Sequence, residues 1–157
     1  MIRRCLFAPI ACALLAAPAS AAGDGIMLGK LTAQLYYKNS GTLSKDVLGR
    51  KPAFSFWNTG AGEGDAEEPA EDMLVGVTLS NPGDDGVFLD ETLELWVTDA
   101  KGKQVARRNF KGILVPYMGK VSNPLWLQDI QCAGPLTLHA KFRGREIKAQ
   151  VSLDCGE

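Results

Sequence analysis

Six carboxylates fall between positions 63 and 72, Glu63, Asp65, Glu67, Glu68, Glu71 and Asp72, with no basic residue among them. Carboxylates that converge on a loop supply the hard oxygen ligands that calcium collects, roughly six to eight at a time. The spacing is not that of an EF-hand, whose Asp-rich start, central Gly and closing Glu are out of order here. The same charges would suit a basic protein partner, and the plainest reading is a solvated acidic loop. Asp84, Asp85 and Asp90 would join such a site if their loops lay at the same end of the fold, although the turn at Pro82-Gly83 accounts for Asp84 and Asp85 without a ligand.

Nucleophilic chemistry is poorly supplied. His139 is the one histidine, set between Thr137 and Lys141 on the expected outward side of a strand, where a catalytic role would need a nucleophile within hydrogen-bond reach. None of the patterns G-x-S-x-G, H-E-x-x-H or G-x-x-x-x-G-K-[ST] occurs. No pair of acids stands out for glycosidase chemistry. The expectation is therefore a protein without catalytic residues or cofactor.

Residues 1 to 22 have a basic start at Arg3 and Arg4, an apolar run from Cys5 to Ala17, and small residues at Ala19, Ser20 and Ala21. This is the three-part pattern of a cleaved secretory signal peptide. The apolar run is shorter than the roughly 20 residues that span a bilayer and is broken by Pro9. A lipoprotein start at Cys12 fits less well, because the residues before it lack the expected aliphatic position. Cleavage leaves 135 of 157 residues and, with two arginines gone, moves the net charge from −1 to −3. Such a chain is expected in the periplasm or outside the cell, without a membrane anchor, and its mild acidity excludes nucleic-acid binding by bulk positive charge.

Cys5 and Cys12 leave with that segment; Cys132 and Cys155 remain. An even pair in an exported chain reads as a disulfide, with stabilisation of roughly 3 kcal/mol from closing the loop. A two-thiolate metal site is the alternative, but one histidine and no C-x-x-C pair in the mature chain leave too few soft ligands for zinc.

The elements that would position these groups show period-two alternation almost throughout. Leu136, Leu138, Ala140 and Phe142 share one side, and Ile147, Ala149, Val151 and Leu153 repeat the pattern after Gly144-Arg145. Read as a type II′ turn, that dipeptide sets Phe142 opposite Ile147, Arg143 opposite Glu146 and Lys141 opposite Lys148. A second hairpin runs from Thr92 to Thr98 and Lys103 to Phe110 around Asp99 and Gly102, setting Glu94 opposite Arg108 and Trp96 opposite Ala106. Further strands are expected at Leu31 to Tyr37, around Phe54, Phe56 and Trp57, at Val75 to Leu79 and within Val121 to Ile130.

Seven or eight short strands with Gly/Pro/Asp turns indicate one all-β domain over residues 23 to 157, an antiparallel sandwich or, second, a closed barrel, with an acidic loop at 58 to 72. The strand pattern resembles bacterial immunoglobulin-like modules. Of the aromatic residues, an outward Tyr36 or Trp96 would form a sugar-stacking platform, while most are expected in the core. Lys101, Lys103, Arg107, Arg108 and Lys111, with Lys141, Arg143, Arg145 and Lys148, form a basic counterpart that would keep strand edges soluble or meet an acidic partner. The function expected from these features is binding or supporting another cell-envelope protein. The alternatives are a small periplasmic inhibitor or immunity protein, or a calcium- or glycan-binding module.

Overall fold

A computed structural model describes residues 25 to 50, 54, 65 to 131 and 133 to 153. The signal-peptide segment, Glu63, Phe56, Trp57, Cys132 and Cys155 lie outside these residues. The described chain contains ten strands and no helix: β1 (Met27–Tyr37), β2 (Thr42–Leu43), β3 (Ala70–Ser80), β4 (Val87–Leu89), β5 (Leu93–Thr98), β6 (Gln104–Phe110), β7 (Ile113–Val115), β8 (Lys120–Leu127), β9 (Gly134–Phe142) and β10 (Arg145–Leu153). They form antiparallel sheets of order β2-β1-β3-β8, β10-β9-β5-β6 and β4-β7. Ten strands replace the expected seven or eight because β2, β4 and β7 are only two or three residues long, too short for alternation to reveal. Phe54 is buried but belongs to no strand, so the strand expected around it is not found at that residue.

Where alternation is long, it predicts the buried side. Leu31, Ala33, Leu35 and Tyr37 of β1 are buried, as are Met73, Val75, Val77 and Leu79 of β3. These residues join Leu93, Leu95 and Val97 of β5 and Leu136, Leu138, Ala140 and Phe142 of β9 in one hydrophobic cluster. The core thus draws on both four-stranded sheets. At one seam between them, Arg108 on β6 donates from Nη1 to the carbonyl of Pro124 on β8 at 2.9 Å. Pro124 lacks an N–H and is tolerated because β8 is an edge strand.

Both hairpins differ in register from the sequence expectation. The β9–β10 turn is Arg143-Gly144, not Gly144-Arg145, with φ of 48° and 78°. Two successive positive φ values define a type I′ turn, whose twist matches that of the strands it joins. Arg143 is held in this conformation while its guanidinium reaches Glu91, at 2.7 Å from Nη2. The register moves by two residues, placing Ile147 opposite Ala140 and Val151 opposite Leu136. A shift of two preserves which side is buried. It replaces the repulsive Lys141–Lys148 pair by Lys141 opposite Glu146 and Lys148 opposite His139.

In the β5–β6 hairpin, Asp99 Oδ1 accepts from the amides of Lys101 and Lys103 at 2.9 and 2.8 Å, and Gly102 takes φ 78°. A bulge between Val97 and Thr98 then shifts the register by one residue. Trp96 consequently faces Arg107 instead of Ala106, and Glu94 faces Asn109 instead of Arg108. This change assembles the charged row described below.

Candidate functional site

The described members of the acidic segment have separate partners. Ala70 to Asp72 belong to β3, so the expected loop ends earlier, and a bulge against Tyr36 and Tyr37 leaves Glu71 as the extra residue. Polar side chains at these positions concealed the strand in the sequence. Glu71 pairs with Lys38 at 2.9 Å. Asp72 accepts from Trp126 Nε1 at 2.9 Å and from the Asp129 amide at 3.3 Å. Glu68 accepts from the Ser40 amide at 3.0 Å, and Asp65 lies 3.8 Å from Arg50. Glu67 contributes its backbone amide to the Tyr37 hydroxyl at 3.2 Å. Among the described residues, no three His, Cys, Asp or Glu side chains are grouped to hold a metal ion.

The outer face of the β10-β9-β5-β6 sheet carries a row of one side chain per strand: Arg107, Trp96, His139 and Lys148. The His139 ring stacks on Trp96 with centroids 4.8 Å apart and planes 9° from parallel. On the other side of the indole, the Arg107 guanidinium lies 5.7 Å from its centroid and pairs with Glu94. Both faces of Trp96 are therefore occupied, leaving neither as a sugar platform. Tyr36 instead packs edge-on against Trp126 at 5.3 Å, and Trp126 is partly exposed beside its bond to Asp72.

His139 points outward from its strand yet is only 9% exposed, because Trp96 covers it. Its Nδ1 donates to Glu146 Oε1 at 3.1 Å, and Nε2 shares a hydrogen bond with the Thr98 hydroxyl at 3.2 Å. A hydroxyl thus lies within reach of the imidazole, contrary to the sequence expectation. The connectivity is hydroxyl, imidazole, carboxylate, the order found in acyl-transfer triads. The hydrogen bond from His139, followed by that from Lys148 at 3.3 Å, holds the Glu146 carboxyl below the usual carboxylate range.

A cleft of about 690 Å³ opens at the β6–β8 seam, with Val105, Trp126, Gln128 and Asp129 around a floor of Leu127, Ile130 and Leu136. It includes neither Thr98 nor His139.

Sequence reasoning missed the face of the small β4–β7 sheet. Phe88 and Leu114 are register partners that point away from the core, 65% and 60% exposed. Val87 and Leu89, like Ile113 and Val115, turn toward the protein on either side of them. Tyr117 and Met118 follow in the next turn, also well exposed. Two apolar triplets, Val87-Phe88-Leu89 and Ile113-Leu114-Val115, were the available signal, since alternation turns the middle residue of each outward. The face has a fixed scaffold: the Met118 amide donates to Gly83 O, the Asn81 amide to Gly119 O, and Asn81 Nδ2 to Asp85 O.

No family model matches this chain, and no curated protein does. Among solved structures, it is similar to the X-ray structure of Northeast Structural Genomics Consortium target SoR45. That similarity has 12% identity and a TM-score of 0.40, covering 84% of this chain and 88% of that one.

Proposed function

We propose that this is an exported, non-enzymatic antiparallel β-sandwich of the immunoglobulin-like kind that binds or supports another cell-envelope protein. The observation that carries the reading is the exposed apolar face of β4–β7. Apolar patches of this kind on soluble domains mark contact sites. The sandwich reading is supported by one hydrophobic cluster fed by both four-stranded sheets. Export is supported by the three-part pattern of residues 1 to 22. A binding role without catalysis is supported by the burial of His139 under Trp96 and by a β6–β8 cleft whose lining includes neither His139 nor Thr98.

The test compares affinity-purified wild type with Leu114→Asp, with envelope partners quantified by mass spectrometry. One envelope protein should be recovered with wild type and depleted at least about tenfold with the variant, the loss expected for a central interface residue. Equal recovery with both would refute the face as the binding site.

A further inference from the structure

We infer that the cleft at the β6–β8 seam is a binding site for a small organic ammonium ion, an amine cation carried on an apolar body. The site is separate from the β4–β7 face and does not rest on the envelope-partner reading. Its volume of about 690 Å³ falls within the range of small-molecule pockets, roughly 300 to 1,000 Å³. The floor is apolar, with Leu127, Ile130 and Leu136 buried there. Trp126 and Val105 border it and are 41% and 51% exposed, so apolar surface remains open to a ligand.

Asp72 fixes the two groups that would recognise a cation. One of its carboxylate oxygens accepts from Trp126 Nε1 at 2.9 Å, and the other accepts from the Asp129 amide at 3.3 Å. The Tyr36 ring braces the indole, with centroids 5.3 Å apart. The Ile130 amide donates to the Glu71 carbonyl at 2.7 Å, and the Ala133 amide to the Ile130 carbonyl at 3.1 Å, which ties the rim after β8 to β3. A rim restrained in this way has little freedom to lose on binding.

The charge of the ligand follows from Asp129. Among the described residues its carboxylate is exposed, with no ion-pair or hydrogen-bond partner, and it is the only charged side chain lining the cleft. The two arginines of β6 are engaged elsewhere, Arg107 with Glu94 and Trp96, and Arg108 with the Pro124 carbonyl and the Phe110 ring. Lys103, two residues before Val105, stands outside the lining. An ammonium group at this carboxylate gains a charge-assisted hydrogen bond and the attraction of the indole ring, while its apolar body covers the floor. An anion would meet Asp129 with Asp72 behind it, and a neutral ligand would strip water from the carboxylate without replacing its hydrogen bonds.

The experiment is a titration of the purified protein, as processed by its host, followed by amide chemical shifts at neutral pH. Three probes of similar size are compared: phenethylammonium, neutral phenethyl alcohol and anionic 3-phenylpropionate. Phenethylammonium should shift the amides of Trp126 to Ile130 saturably and bind at least about tenfold more tightly than either other probe, as a hydrogen bond to a charged group implies. Asparagine also tolerates the left-handed φ of 52° at position 129, so Asp129→Asn should leave the amide shifts away from the cleft in place. That variant should bind phenethylammonium about tenfold more weakly. No saturable binding of the amine, equal binding of the three probes, or an affinity unchanged in Asp129→Asn would overturn the inference. Leu114→Asp should bind the amine as wild type does, so this site and the envelope-partner face stand or fail separately.

Discussion

Two outward surfaces of this protein have opposite character. The face of the β10-β9-β5-β6 sheet holds the residues a chemist would examine first, yet Arg107, Trp96, His139, Glu146 and Lys148 are occupied with one another. The β4–β7 face and the turn after it present Phe88, Leu114, Tyr117 and Met118, large apolar and aromatic side chains that are left exposed. Reactive residue types therefore do not by themselves locate function. An unsatisfied surface, apolar or charged, is the stronger pointer, because covering it lowers the free energy of an assembly.

The largest effect is expected from the proposed Cys132–Cys155 disulfide. The β9–β10 ladder ends with Leu153 opposite Gly134; Cys132 precedes Gly134 by two residues in the sequence and Cys155 follows Leu153 by two. Replacing both by Ser should lower stability by roughly 3 kcal/mol in denaturant melts. Two free thiols in the unfolded, unreduced protein would refute the bond.

Next, Trp96→Ala removes the centre of the charged row and should cost about 2 kcal/mol, from lost ring burial, stacking and cation–π contact. Phe88→Ala should cost under about 0.5 kcal/mol in the monomer. Similar losses at the two positions would erase the distinction between a structural row and an uncovered face. Smaller again is Asn123→Val. The buried Asn123 Nδ2 has no hydrogen-bond partner among the described residues, and its removal should raise stability by about 1 kcal/mol, visible as a higher Tm.

The smallest effect is that of pH on Glu146. Its carboxyl is held below the usual range by His139 and then Lys148, so folding favours the ionised form. The associated stability is present above the ordinary carboxylate pKa and is lost as pH falls through the lowered folded value. Glu146→Gln should remove that part of the acid dependence in pH-resolved melts. An unchanged acid limb would show that the row does not depend on this carboxylate.

The fold was legible where alternation ran for several residues, as from Leu31 to Tyr37 and from Leu136 to Phe142. Register was not, because it depended on single turn residues. Arg143 takes a positive φ that its side chain does not advertise, and the bulge beside Thr98 moves the β6 partners of Leu93 to Val97 by one. The acidic cluster was visible as composition, but the strand at Glu71 and Asp72 separates its members and gives them different partners. Phe88 and Leu114 remained hidden for a simpler reason. In an apolar triplet the sequence does not mark which residues face the core until the pairing strand is known.

The most direct test of the central claim places a photo-crosslinking amino acid at Leu114 in one strain and at Arg107 in another, with the protein expressed at its native level. Protein adducts should form from position 114, with few or none from position 107. Adducts from 107 with none from 114 would contradict it.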